Sequence, residues 1–102
     1  MAEGWSELFE AATKMKGTHL RELLKDEARN SSMFVKCGGI TLDYCRQKVD
    51  ADTMGKLFKL AETADVQAKK EKMFAGERIN ETEGRPVLHA ALRAPRDAVI
   101  NV

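Results

Sequence analysis

Between Met33 and Tyr44 the apolar residues stop recurring every three or four positions and alternate instead, with Gly38 and Gly39 at the centre of the stretch. Alternation is the period of a strand, and adjacent glycines can supply the positive φ angles of a tight hairpin turn. MFVKC and ITLDY therefore read as the two arms of an antiparallel hairpin. Pairing Cys37 with Ile40 sets Val35 opposite Leu42 and Met33 opposite Tyr44, so all of these apolar side chains share one side. A lone hairpin is marginal in water, and this face is expected to lie on a helix or a larger sheet. A charge placed there, as in Leu42→Asp, is then expected to cost far more than one at Thr41. Cys45 falls on the opposite face, across from Ser32. At about 3.3 Å per residue it is too far from Cys37 for a disulfide, whose Cα atoms must approach within about 7 Å. Both are read as reduced thiols.

The flanking segments keep a helical period. Trp5, Leu8, Phe9, Ala12 and Met15 share one face of a helix that should stop near Gly17, and Thr18 is positioned to cap a short helix carrying Leu20, Leu23 and Leu24. After the hairpin, Asp50 or Asp52 can cap a helix whose face is Met54, Leu57, Phe58, Ala61 and Ala64. A further helix is expected from about Val66 to Ala75, ended by Gly76, with Lys69, Lys70 and Lys72 toward water. Glu71 and Glu77 interleave with those lysines and no aromatic platform accompanies them, so a solvated face is read rather than a nucleic-acid contact. The closing AVINV has the composition of a strand separated from its sheet. The whole is an α+β segment, mostly helical with one β-hairpin, and several of its apolar faces should remain exposed.

Composition excludes more than it assigns. Seventeen basic residues against sixteen acidic ones leave a net charge of +1, which marks neither a nucleic-acid binder nor an anionic-membrane binder. There is no apolar run of about twenty residues to cross a bilayer. The start MAEGWSELFE has neither the basic beginning and apolar core of a secretory signal nor the Arg-rich and Ser-rich character of a transit peptide, so cytoplasm is the expectation. No linker, low-complexity tract or internal repeat interrupts the chain. Ser6 and Thr13 have no His and acidic partner near them in sequence, and His19, Cys37, Cys45 and His89 lack the paired spacing of a zinc site. Neither a cofactor nor a metal is expected.

The densest local pattern is Ile79 to Arg93, INETEGRPVLHAALR. Asn80, Thr82 and Glu83 can bond to nearby backbone and start a helix, on which Val87, Leu88, Ala91 and Leu92 recur at helical spacing. Arg85, His89 and Arg93 stand four apart, which on a helix makes a basic stripe. Pro86 has no N–H and is harmless only in a first turn, so the helix is expected to start at Glu83 or to be locally distorted. Flanking cations would disfavour a proton-transfer role for His89, whose imidazole is expected to bond to backbone or carboxylate. Arg85 and Arg93 are suited to bidentate pairing with carboxylates, Glu83 among them.

This run resembles a signature near the N-terminus of glucose-6-phosphate isomerases, with Ile-Asn, Thr-Glu, Arg, Val-Leu-His and Ala-Leu-Arg in the same order and spacing. MFAGERIN from Met73, ITLDYCRQ from Ile40 and THLRELLKD from Thr18 resemble other blocks of that family, and LRAPRDAVI from Leu92 is most similar to plant and algal cytosolic members. Pro86 departs from the family's usual small residue. The resemblance covers essentially the whole chain, and it implies an N-terminal helical and hairpin segment, residues 1–102, of a larger α/β enzyme with sugar-isomerase domains.

It also implies what these residues lack. The family's phosphate-binding Ser and Thr loop, catalytic glutamate, ring-opening histidine and C-terminal lysine belong to blocks without a counterpart here. No catalytic residue is therefore assigned, and Asn80, Thr82, Glu83, Arg85, His89 and Arg93 are read as a structural signature. The expected partners are the remainder of an isomerase chain and a second subunit of a homodimer, with a sugar phosphate as substrate only in the complete enzyme and with neither nucleic acid nor membrane. The alternative is a non-catalytic helical protein-interaction module derived from the same segment.

Overall fold

The computed structural model describes residues 4–101, which divide after Thr63 into two compact units. The first contains helices α1 (Trp5–Lys16), α2 (Leu20–Leu23) and α3 (Glu27–Ser32), strands β1 (Phe34–Cys37) and β2 (Ile40–Asp43), and helix α4 (Ala51–Thr63). The second contains α5 (Val66–Phe74) and a 3₁₀ helix (His89–Arg93). Helices with a single two-stranded antiparallel sheet make this an α+β chain, as its periodicities imply.

The first unit is organised by α1 against α4. Gly4 enters α1 with φ of 103° and brings the chain close to Leu60, and Glu7 meets Lys59 of α4 at 3.5 Å. The buried side of α1 is Ala11 and Met15, with Leu8 half-buried, whereas Trp5, Phe9 and Ala12 of the expected face lie exposed. The inward stripe is thus rotated from the expected one, and Trp5 and Phe9 lean on each other instead, their ring centroids 6.3 Å apart. The cap of α2 is His19 rather than Thr18: its Nδ1 accepts from the Arg21 N–H at 3.1 Å. Asp50 caps α4 by accepting the Thr53 N–H at 2.8 Å.

A buried arginine joins these elements. Arg29, only 6% exposed, donates from Nε to the Val49 carbonyl at 2.9 Å, from Nη1 to the Cys45 carbonyl at 2.8 Å and to Asn30 Oδ1 at 2.9 Å, and from Nη2 to the Gln47 carbonyl at 2.8 Å. Asp26 caps α3 by accepting the Arg29 N–H, and Asn30 Nδ2 donates to the Leu24 carbonyl. Within the loop from Cys45 to Val49 the Gln47 carbonyl accepts the Val49 N–H at 2.8 Å, whereas the carbonyls of half-buried Cys45 and Val49 look to side-chain donors. One planar group with fork geometry donates to all three carbonyls at once.

The hairpin has the expected register, with Cys37 opposite Ile40 and Val35 opposite Leu42, and the Tyr44 N–H continues it by donating to the Met33 carbonyl at 2.9 Å. Only Gly38 of the two glycines takes a left-handed φ, 58°. The cover over the apolar face differs from expectation. Met33 at the base is 2% exposed, while Val35 is 49%, Leu42 59% and Ile40 75% exposed. Among the described residues nothing overlies the outer part of this face. Among the described residues the other buried hydrophobics are Ala11 and Met15 of α1, so no broad core is available for it to join.

In the second unit, α5 ends as its sequence implies. Gly76, buried and at φ 79°, terminates it, with the Glu77 N–H donating to the Lys72 carbonyl at 3.0 Å and the Gly76 N–H to the Met73 carbonyl at 3.2 Å. That pair of bonds is a Schellman motif. Residues 98–101 form no strand, and Val99 is 83% exposed; Val102 of the expected strand lies outside the described residues.

Three measurements test this arrangement. Arg29→Met leaves the Cys45 and Val49 carbonyls without their donor, and the Gln47 carbonyl with the Val49 N–H in place of two donors, and should cost about 2–4 kcal/mol, with Arg29→Lys recovering only part. Denaturant titration followed by fluorescence of Trp5 reads this, and unchanged midpoints would show the cage to be dispensable. Leu42→Asp and Thr41→Asp should differ in this chain by less than about 1 kcal/mol, because surface substitutions are mild; a severe loss confined to Leu42→Asp would mean the face is covered. The Asp50 carboxyl is held below its ordinary value by the hydroxyl and then the N–H of Thr53. A depressed value contributes stability above the unfolded-state pKa, lost as pH falls through the folded one. Asp50→Ala should therefore cost about 1 kcal/mol at neutral pH, and its difference from the native chain should close below about pH 4.

Candidate functional site

The signature residues fall in two places within the second unit. From Asn80 to Arg85 the chain makes a tight reversal: the Asn80 N–H donates to the Arg85 carbonyl at 3.0 Å, and the Asn80 carbonyl accepts from Gly84 at 2.8 Å and Arg85 at 3.3 Å. Side chains brace the same turn. Thr82 Oγ1 donates to Asn80 Oδ1 at 2.8 Å, and Asn80 Nδ2 donates to Glu83 Oε2 at 3.4 Å. Gly84 closes the turn at φ 62°.

The expected helix from Glu83 through Arg93 is therefore not formed. Helix begins only at His89, as the 3₁₀ segment His89–Arg93 entered through Leu88. A residue at φ 62° cannot continue a right-handed helix, and Pro86 biases Arg85 toward extended backbone, where its carbonyl can bridge to Asn80. Arg85 consequently leaves the row that its spacing from His89 and Arg93 suggested. All three are exposed, and neither arginine meets a carboxylate within ion-pair distance among the described residues. Glu83 is taken by Asn80 rather than Arg85, and no hydrogen bond ties the His89 imidazole to another described residue. The braced turn accounts for Asn80, Thr82, Glu83 and Gly84; it does not account for the two arginines or the histidine.

Beside the 3₁₀ helix lies an apolar groove of about 520 Å³, lined by Met73 and Phe74 of α5 and by Leu88, Ala91, Ala94 and Ile100, with His89 and Arg93 also in its lining. Phe74 is 60% and Leu88 44% exposed, so the groove is open. It contains no carboxylate and could accept an apolar chain segment rather than orient a polar reaction. Lys69 and Lys72 border a separate recess with Glu77, Arg78 and Glu81, and the interleaved carboxylates break up any basic surface.

Other reactive side chains are occupied or exposed. Thr13 Oγ1 donates to the Phe9 carbonyl at 2.9 Å along α1. The Cys45 thiol is pushed up from its ordinary pKa mainly by its hydrogen bond to Asp43, which lowers its thiolate fraction and hence its nucleophilicity. Cys37 and Cys45 are both free thiols. Among the described residues no three His, Cys, Asp or Glu side chains converge on a possible metal position, and no helix is long and apolar enough to cross a membrane. Sequence reading missed Arg29. The available signal was the segment EARNSS, which offers only Ala28 as an apolar residue, leaving the arginine stem as the one long side chain able to turn inward.

Gly84→Val should open the signature turn. A Cβ at Gly84 would meet nothing within 4 Å, so the cost is backbone strain alone, about 1–2 kcal/mol. Exchange of the Arg85 amide should quicken by about 5- to 30-fold, with Gly84→Asn closer to the native rate. Unaltered protection in Gly84→Val would show that the turn is held elsewhere.

Residues 43–102 match the profile of the phosphoglucose isomerase family. Over 99 residues, 97% of the chain, the sequence is 52% identical to the cytosolic glucose-6-phosphate isomerase of Spinacia oleracea. The identity is again 52%, over the same 97%, with the cytosolic glucose-6-phosphate isomerase of Zea mays and with cytosolic A of Oryza sativa subsp. japonica. In each case the chain spans 18% of the relative's own length. An identity of this level over 97% of the chain, joined to a profile match that includes the signature turn, means that the chain belongs to the phosphoglucose isomerase family.

Proposed function

We propose that these residues form the N-terminal helical and hairpin segment of a cytoplasmic glucose-6-phosphate isomerase, and that the 102 residues alone do not catalyse its reaction. The observation that carries this reading is the 52% identity across 97% of the chain to enzymes that bear the name. The complete enzyme would interconvert glucose 6-phosphate and fructose 6-phosphate through an enediolate, without a redox cofactor. Its partners here are the remainder of the isomerase chain and a second subunit of a homodimer. The word cytosolic in the relatives' names supports the cytoplasm as the compartment.

Reaction chemistry supports the second half of the proposal. Moving a proton between C1 and C2 requires a positioned base, and the enediolate requires preorganised charge in a site that excludes water. The groove beside the 3₁₀ helix holds no carboxylate and stands open, and His89 in its lining has no partner to orient it among the described residues. The bare hairpin face, with Leu42 59% and Ile40 75% exposed, and the open groove agree with a segment that completes its burial against further chain.

The test is a coupled assay on the purified chain, freed of host isomerase, alone and after co-expression with a plant cytosolic isomerase lacking the matching segment. No turnover alone and restored turnover together are expected. Robust turnover by the chain alone would overturn its inactivity. Failure to restore the truncated enzyme, with both pieces soluble, would favour the non-catalytic interaction module.

A further inference from the structure

We draw no further inference here: the strongest candidate, the apolar groove between α5 and the 3₁₀ helix, floored by Met73, Phe74, Leu88 and Ile100, carries nothing because nothing in the structure shows what covers it.

Discussion

The guanidinium of Arg29 is the hub of the N-terminal unit. Its four hydrogen bonds reach three backbone carbonyls of the Cys45–Val49 loop and the side chain of its own neighbour Asn30. That loop leads from the second hairpin strand to the Asp50 cap of α4, so one side chain sets both where the hairpin leaves and where the long helix begins. Among the described residues no carboxylate pairs with this buried charge, and dipoles compensate it. Burying a charge is unfavourable unless its donors are satisfied, and the loop carbonyls are unfavourable to bury unless they find donors. Each requirement answers the other. Lysine would substitute only in part, because a point charge with rotating protons does not present a planar fork to three fixed acceptors.

Polar pairing of this kind matters because apolar burial is thin. Ala11, Met15 and Met33 are the buried hydrophobic residues among those described, all in the first unit, and Met33 alone is large and fully enclosed. The second unit is held mainly by backbone geometry: the Schellman end of α5 and the reversal from Asn80 to Arg85. Hydrogen bonds contribute modest net stability each, and small domains bury a limited share of their surface. Phe9, Phe58, Phe74 and Leu42 remain largely in water. Under the proposed function these are seams, left bare because the apolar partner surface belongs to other parts of a longer enzyme.

Elements governed by a short period and a nearby stop were legible in the sequence. The hairpin register follows from alternation about two glycines, since a one-residue slip would turn every apolar side chain over. The end of α5 follows from Gly76, and the start of α4 from Asp50, one of the two aspartates that could cap it. What periodicity could not supply was which part of a wide apolar stripe turns inward. On α1, Trp5 and Phe9 belong to the same helical face as Leu8 and Met15, but α4 contacts only one flank of it, and the aromatic flank stays out. The same limit explains the hairpin: alternation identifies an apolar face without saying that its cover lies within the same residues. Arg29 was invisible for a different reason. Its partners are carbonyls, and backbone acceptors leave no trace in residue identity.

The signature run misled in an instructive way, because two local preferences conflict there. Val87, Leu88, Ala91 and Leu92 have helical spacing, and a proline three residues after a cap at Glu83 would have been tolerable, since the first N–H groups of a helix are unpaired in any case. Pro86 alone therefore does not forbid the helix. Gly84 does: at φ 62° it reverses the chain and lets the Asn80 carbonyl collect the Gly84 and Arg85 N–H groups. Pro86 then works with the glycine rather than against a helix, keeping Arg85 extended so that its carbonyl returns to the Asn80 N–H. Asn80, Thr82 and Glu83 bond to one another around this reversal, and their close spacing is the spacing of a turn. Helix resumes only once the chain has left the bridge, at His89, which is why Arg85 shares an interval of four with His89 without sharing a helix with it.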